Sequence, residues 1–168
     1  ALSLIDGGYD LTRTDANGNT ALHRACMVDD KAVVTALLKR NIDVNAENGY
    51  HETALLSCIH YMDNEMLNLL LSGGADANTV NDDGDNPILR IAKSMQFGKN
   101  HYEKVEMLLR NKCDATKRDA YGKTAKDYLE ELLGTYEKTI ENYREDSEYQ
   151  NVRRLIDLLE KGVIDTKQ

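Results

Sequence analysis

Pairs of neighbouring apolar residues recur in this sequence at nearly regular intervals. The pairs are Leu4–Ile5, Leu37–Leu38, Leu70–Leu71 and Leu108–Leu109. The first two intervals are 33 residues long, and the third is 38. Other apolar residues precede the pairs at helical spacing, as Val34 precedes Leu37 and Leu38. The pattern predicts a series of similar helical units, each of which buries its apolar face against its neighbours.

Two other sequence markers keep the same interval. Short motifs that begin with a helix-capping residue recur at Thr20-Ala21-Leu22, Thr53-Ala54-Leu55, Asn86-Pro87-Ile88 and Thr124-Ala125-Lys126. Aspartates recur at Asp10, Asp43, Asp76 and Asp114. All three markers agree, including on the five extra residues of the longer interval, so the chain contains an internal repeat.

Each unit is predicted to be a tight turn followed by two helices. The turns carry glycines, which adopt the positive φ that closes such a turn, at Gly18, Gly84 and Gly122. A threonine or asparagine then suits the N-cap of the first helix, because its side-chain oxygen accepts an otherwise unpaired backbone N–H. Asp30 and Asp63 are placed to cap the second helices in the same way.

A turn-helix-helix unit of 33 residues, with Thr20-Ala21-Leu22-His23 opening its first helix and Asp43-Val44-Asn45 after its second, resembles the ankyrin repeat. The resemblance implies an all-α ankyrin-repeat solenoid of about four repeats, with projecting hairpins and an extended helical C-terminal cap. The whole chain, 1–168, is then a single ankyrin-repeat domain. Its segments are the end of a truncated repeat (1–14), repeat 1 (15–47), repeat 2 (48–80), repeat 3 with a five-residue insertion (81–118) and terminal repeat 4 with a long helical insertion (119–168).

Two repeats depart from the family pattern. In repeat 2, His51 stands where the family usually has its turn glycine, and Gly49 lies two residues earlier. Since residues with side chains avoid positive φ, we expect a distorted hairpin at 47–52. In repeat 4, Lys126 and Asp127 follow the Thr-Ala pair, a departure typical of the end of a stack.

Repeats 3 and 4 carry insertions. The shorter one, within 94–101, contains Phe97. In the longer one, apolar residues from Tyr128 to Tyr143 recur at steps of three and four, which predicts one long amphipathic helix weakened by Gly134. Ser147 with Glu148-Tyr149-Gln150 predicts a capping box that starts a last helix. That helix carries the apolar residues of a delayed second helix, followed by glycine: Leu155, Leu158, Leu159 and Gly162.

We interpret this extension as a cap with a polar outer side, because a repeat stack otherwise leaves an apolar end uncovered. A docking face formed by its tyrosines is the alternative. At the other end, residues 1–5 look like the last turn of a second helix from an earlier repeat, so we expect the chain to be a fragment of a longer protein.

Composition excludes several classes of partner. The formal net charge is −8, whereas phosphate binding needs a concentrated basic face, so we expect no nucleic acid. No apolar run approaches the ~20 residues of a membrane span, so we expect no membrane. Cys26, Cys58 and Cys113 lie far apart, which favours small, buried, reduced thiols. Reduced thiols predict the cytoplasm or the nucleus, of the source cell or of a host cell.

The candidate metal sites lack the ligands that a bound metal ion needs at the required positions. His51, Cys58 and His60 lack the number of ligands that a structural zinc needs. The acidic run 81–85 is similar to a calcium loop, but Thr79 and Arg90 stand where that loop needs acids. His23 corresponds to the family's motif histidine, which hydrogen-bonds the backbone and steadies neighbouring hairpins. We expect no metal, no cofactor, no small-molecule substrate and no enzymatic activity.

The resemblance implies a non-enzymatic protein–protein interaction module that binds through a concave surface of hairpin tips and inner helices. Carried over position by position, the exposed hairpin residues are Asn17, Asn19, Tyr50, Glu52, Asp82, Asp83, Asp85, Tyr121 and Lys123. The inner-helix residues are Met27, Val28, His60, Tyr61, Lys93 and Ser94. Tyrosines and a methionine among acids predict a protein partner with basic and apolar features.

Two alternatives stay open at this point. The chain could be the substrate-recruiting or regulatory arm of a larger enzyme, such as a ubiquitin ligase component or a host-directed microbial effector. It could also mimic the inhibitory ankyrin proteins that mask a transcription factor, which differs only in the identity of the partner.

Overall fold

The computed structural model describes residues 10–94 and 99–161, and this part of the chain is all-α. It contains eight α-helices and one short 3-10 helix. The one β-type pairing within these ranges is an isolated antiparallel bridge between Glu47 and Thr53. None of the described helices is long and apolar enough to cross a membrane. The chain divides into two compact units, Ala1–Asp82 (unit 1) and Asp83–Gln168 (unit 2). The expectations that concern residues 1–5, Phe97 and Gly162 lie outside the described residues.

Unit 1 consists of two helix pairs, α1 (Ala21–Met27) with α2 (Lys31–Leu38) and α3 (Ala54–Cys58) with α4 (Asn64–Ser72). Helix α1 packs on both α2 and α3, and α2 packs on α4. The first helices of successive repeats therefore lie side by side, as do the second helices. Between them lie fully buried leucines at the positions that the sequence period predicts: Leu22, Leu37, Leu55, Leu67 and Leu70.

Unit 2 follows the same order with longer elements: α5 (Pro87–Ala92), α6 (Lys99–Arg110), α7 (Ala125–Thr139), a 3-10 helix (Tyr143–Glu145) and α8 (Ser147–Lys161). Helix α5 packs on α6 and α7, while α8 packs on α6 and α7. Helix α8 thus occupies the second-helix position of repeat 4. Leu155 and Leu158 are buried in it, as the apolar pattern predicts.

The same backbone turn opens all four repeats. Gly18, Gly84 and Gly122 each have φ of 76°, and His51 has φ of 55°. The His51 N–H donates to the Asn48 carbonyl at 3.1 Å, as Gly18 and Gly122 donate to the residue three before them at 3.0 Å. The expected distortion of the repeat 2 hairpin is therefore wrong. His51 adopts the left-handed conformation instead, which costs about 1 kcal/mol relative to glycine.

Side-chain caps fix where the helices begin. Thr20, Thr53 and Thr124 cap the first helices of repeats 1, 2 and 4, and Asn86 caps α5 ahead of Pro87. The second helices of unit 1 begin after Asp30 and Asp63, whose side chains accept a backbone N–H three residues on. The predicted N-caps of these helices are confirmed.

The extension of repeat 4 differs from the expectation at two points. Helix α7 ends at Thr139, so Tyr143 lies in the separate 3-10 helix and not in one long helix. The residue that caps α8 is Asp146, not Ser147, because the Asp146 carboxylate accepts the N–H groups of Glu148 at 2.9 Å and Tyr149 at 3.0 Å. The positive end of the helix dipole also stabilises a carboxylate at that position.

Candidate partner-binding surfaces

Large apolar side chains are exposed where the first helices of unit 1 end. Met27, Val28 and Tyr61 are 46%, 68% and 87% exposed, and we call these three residues the helix-end patch. Val28 and Tyr61 occupy equivalent positions one repeat apart, and the helices that precede them, α1 and α3, pack together. Half-buried His60 contacts the Tyr61 ring edge-on, with centroids 6.3 Å apart. Four predicted inner-helix residues thus lie at the same end of two neighbouring helices.

Charged side chains border the helix-end patch. Nζ of Lys31 lies 3.1 Å from a carboxylate oxygen of Asp29, 2.8 Å from one of Asp63 and 3.7 Å from one of Glu65. Hydrogen bonds to Asp63 and Asp29 raise the pKa of Lys31, and the bond from Lys31 lowers the pKa of Asp63. Three carboxylates, the carboxylate border, therefore share one ammonium group, and a net negative charge remains beside the patch.

The hairpins of unit 1 carry both exposed and buried side chains. The exposed ones among the predicted residues are Asn17, Tyr50 and Asp82. Asn19 is only 5% exposed, because Nδ2 of Asn48 on the next hairpin donates to its Oδ1 at 3.1 Å. The expectation that Asn19 is exposed is therefore wrong. Glu52 is half-buried and accepts the Ser57 hydroxyl at 3.0 Å.

His23 joins the hairpins of repeats 1 and 2 from inside unit 1. Its ring is fully buried, with Nε2 2.9 Å from the carbonyl oxygen of Glu52 and Nδ1 2.9 Å from the hydroxyl of Thr20. Since a carbonyl only accepts, Nε2 carries the proton and Nδ1 accepts from Thr20. Burial lowers the pKa of His23, so the ring is neutral. This is the structural role that the resemblance implies for His23.

Unit 2 contains an ion cluster made of Asp85, Lys93 and Asp119. Nζ of Lys93 lies 2.5 Å from Oδ1 of Asp85 and 2.7 Å from Oδ2 of Asp119. The side chains of Asp85 and Asp119 are 5% and 0% exposed, and that of Lys93 is 23% exposed. Asp85 was expected to be an exposed hairpin residue, and that expectation is wrong. Its carboxylate is covered because it binds Lys93 from the helix behind it.

Asp119 accepts further hydrogen bonds besides the one from Lys93. Its Oδ2 also accepts the hydroxyl of Tyr128, and its Oδ1 accepts the N–H groups of Tyr121 at 2.9 Å and Lys123 at 3.0 Å. Desolvation raises the pKa of Asp119, but the bonds from Lys93, Tyr128 and the backbone outweigh it and hold the pKa well below its usual range. Asp119 is therefore ionised, and it fixes the fourth hairpin to α5 and α7.

The other predicted residues of unit 2 lie around this cluster. Tyr121 is exposed, and its ring centroid lies 5.8 Å from Nζ of Lys93. Half-buried Lys123 pairs with Glu131 at 2.7 Å. Asp83 is exposed, and its carbonyl accepts the N–H of Ala120 at 2.8 Å. Ser94 is half-buried.

The tyrosines of the repeat 4 extension pack on one another. Tyr149 is buried, and its ring meets those of Tyr143 and Tyr136 edge-on at centroid distances of 5.0 Å and 6.3 Å. The Tyr149 hydroxyl donates to Glu137 at 3.2 Å. The stripe is thus centred on a buried ring, which favours the cap over the docking face.

The cysteines are buried as thiols. Burial raises the pKa of Cys26 to about 12 and that of Cys58 to about 11. Such groups hold little reactive thiolate at neutral pH. Over residues 10–94 and 99–161, no group of three or more His, Cys, Asp or Glu side chains is arranged to hold a metal ion.

The sequence prediction missed the carboxylate border, Lys31, Asp119 and Tyr128. A signal for the unit 2 cluster was present, however. Asp85 and Lys93 stand eight residues apart, and the equivalent pair in repeat 4, Lys123 and Glu131, carries the same two charges reversed. Opposite charges at this spacing link a hairpin to the helix that follows it.

Comparison with known proteins identifies a matching family model and related proteins. Residues 1–81 match the family model described as ankyrin repeats, three copies. The chain is 31% identical over 131 residues to the E3 ubiquitin-protein ligase KEG of Arabidopsis thaliana, covering 77% of this chain and 8% of that protein. It is 37% identical over 73 residues to the fowlpox virus ankyrin repeat protein FPV219, covering 42% of this chain and 17% of that protein. The chain thus spans less than a fifth of either relative's length.

The family match coincides with the geometry of unit 1, where first helices pack on first helices and second helices on second helices. Unit 2 has the same turns, caps and helix order. Residues 1–81 of this chain thus belong to the ankyrin repeat family.

Proposed function

We propose that this chain is a non-enzymatic module that binds another protein through side chains of its hairpins and first helices. Ankyrin repeats are generally protein–protein interaction modules, and stacked repeats provide the extended surfaces that solenoids use for binding. In this chain unit 1 offers the helix-end patch and Tyr50, and unit 2 by itself offers Tyr121 with its neighbours.

The observation that carries the proposal is the exposure of Met27, Val28 and Tyr61 at the same end of two packed helices. Single exposed apolar residues are normal on any protein, whereas adjacent ones mark interaction sites. The rest of each first helix buries its apolar residues in the core. Packing within unit 1 therefore does not account for these three side chains.

Tyrosine supplies a second line of support. Tyr50, Tyr61 and Tyr121 are 63%, 87% and 77% exposed. Aromatic side chains of this kind are enriched among the residues that dominate binding energy. In a chain of net charge −8, these exposed tyrosines favour a protein partner with basic and apolar features over nucleic acid or an anionic membrane. The buried thiols favour a reducing compartment, the cytoplasm or the nucleus.

A second candidate is that the chain recruits substrates or regulates activity within a larger enzyme. The similarity to a plant ubiquitin ligase, of which the chain covers 8%, favours it. Both candidates use the same surface, and they differ in what is joined to this chain. The sequence of the complete native polypeptide distinguishes them, since the second requires a catalytic domain in it.

The test compares partner binding by the wild-type chain and by a double variant. Partners of the wild-type chain are identified by cross-linking and mass spectrometry, and binding is then measured by calorimetry with a purified partner. Tyr61→Ala combined with Tyr121→Ala is expected to weaken binding at least about tenfold while the thermal midpoint stays unchanged. If the double variant binds normally and Tyr136→Ala abolishes binding, the partner docks on the extension of repeat 4 and the proposal is wrong.

A further inference from the structure

We infer that the helix-end patch receives a partner segment in which a large apolar side chain stands beside a lysine or arginine. The inference rests on the proposed function and names the chemistry of the partner at one place on the surface. It assigns the docking anchor to Met27, Val28 and Tyr61, where the first helices end, and not to the hairpin tip that carries Tyr50.

The apolar part of the partner follows from the patch itself. Val28 and Tyr61 sit at equivalent positions after two helices in contact, and equivalent positions on packed helices lie about 8–10 Å apart. That spacing admits one aliphatic or aromatic side chain between them. The ring of His60 lies edge-on to that of Tyr61. A tyrosine has only two side-chain torsions to fix, so it loses less conformational entropy on binding than a long flexible side chain does.

The basic part follows from the carboxylate border. Asp29 comes directly after Val28, and Asp63 lies two residues after Tyr61. The side chains of Asp29, Asp63 and Glu65 are 56%, 48% and 72% exposed, whereas that of their shared lysine, Lys31, is 25% exposed. The outward-facing charge beside the patch is therefore negative. This charge attracts a cationic side chain of the partner and repels an anionic one.

Two groups of charged side chains in unit 2 do not present a surplus of exposed carboxylates. Lys123 and Glu131 form a pair with no surplus charge. Asp85 and Asp119 are more acidic together than Lys93 is basic, but both carboxylates are buried. At the helix-end patch, by contrast, three exposed carboxylates share one lysine beside exposed apolar side chains.

The experiment needs no knowledge of the natural partner. A phage-displayed library of short random peptides is selected on the immobilised full chain, and the selected peptides are synthesised. We expect enrichment of peptides with a large apolar residue within one helical turn of lysine or arginine. Their dissociation constants are measured by calorimetry against the wild type and four variants.

The variants form two matched pairs. Tyr61→Ala is expected to weaken peptide binding at least about tenfold, while Val80→Ala, at an exposed apolar residue of the same unit outside the patch, leaves it within about twofold. Glu65→Lys is expected to weaken binding and to abolish its dependence on salt, while Asp157→Lys, an exposed acid on α8, does neither. Circular dichroism on each variant verifies that it is folded.

The outcomes separate this inference from the proposed function. Selected peptides that lack basic residues, or that bind Tyr61→Ala as well as the wild type, overturn the inference and leave the proposed function standing. A library that yields no peptide with specific affinity for the chain contradicts both.

Discussion

Nζ of Lys93 lies 2.7 Å from Oδ2 of Asp119, whose side chain is closed to solvent, although the two residues are far apart in sequence. Lys93 follows α5 and Asp119 opens the fourth hairpin, so this ion pair joins two repeats within unit 2. A third residue, Asp85 of the preceding hairpin, binds the same ammonium group. One lysine thereby holds two hairpins and a helix end in register.

Replacing Lys93 with methionine leaves two buried carboxylates without their cation. Because the Lys93 side chain is itself 23% exposed, the loss is smaller than for a deeply buried pair, and we expect about 2 kcal/mol in the free energy of unfolding. Lys123→Met removes the more exposed pair with Glu131 and should cost much less. Urea unfolding followed by circular dichroism measures both. Equal losses in the two variants would show that the Lys93 cluster contributes nothing beyond a surface ion pair.

The turn of repeat 2 leads to a second prediction. His51 occupies a left-handed conformation that glycine takes in the other three repeats. His51→Gly should therefore stabilise the chain by about 0.5–1 kcal/mol, because it removes strain and the side chain makes only an exposed contact with Glu47. Gly18→Ala at the equivalent place should destabilise by at least that much, since its Cβ would lie 2.6 Å from the backbone nitrogen of Gly49. Thermal midpoints that move in the opposite directions would contradict this explanation.

These two sites indicate which parts of the structure were predictable from the sequence. Caps and turns depend on residues close together in the chain, so Thr20, Asp30 and Gly18 could be assigned from spacing alone. His51 misled the prediction because the cost of positive φ, about 1 kcal/mol, is small against the packing that fixes the turn. Asn19 and Asp85 are buried by polar contacts that hydrophobic spacing does not predict, with the Asn48 amide of the next hairpin and the Lys93 ammonium group at the end of α5.

The pH dependence of stability should report on His23. Burial lowers the pKa of this ring in the folded chain, so below the ordinary value of about 6.5 the unfolded chain takes up a proton more readily than the folded one. The stability that His23 contributes is therefore complete above about pH 6.5 and is lost as the pH falls towards the folded pKa.

His23→Leu provides the comparison, because leucine occupies the equivalent buried positions Leu56 and Leu89. Near neutral pH the variant should lose about 1 kcal/mol, the contribution of the hydrogen bond to Glu52. As the pH falls from about 7.5 to 5, the wild type should lose stability faster than the variant, and the difference between them should shrink. The other histidines are common to both proteins, so urea unfolding at several pH values isolates His23. Parallel pH profiles would mean that its pKa is the same in both states.

The last prediction decides between the cap and the docking face for the repeat 4 extension. Tyr149 is buried between α7 and α8, with Tyr143 and Tyr136 edge-on against its ring. If the extension is a cap, Tyr149→Ala should cost about 3 kcal/mol, as truncation of a buried aromatic ring does elsewhere. Tyr149→Phe should cost no more than about 1 kcal/mol, because it keeps the ring and loses only the hydrogen bond to Glu137.

Urea unfolding measures both losses, and a binding assay on the folded Tyr149→Phe variant completes the comparison. A cap predicts that this variant binds a partner as the wild type does, because its role is to cover the apolar side of unit 2, where Leu129 and Leu155 are buried. A docking face predicts the reverse pattern, with stability kept and binding reduced by either substitution. If Tyr149→Ala keeps its stability and binds the partner more weakly, the binding surface of repeat 4 is the extension and not the hairpin that carries Tyr121.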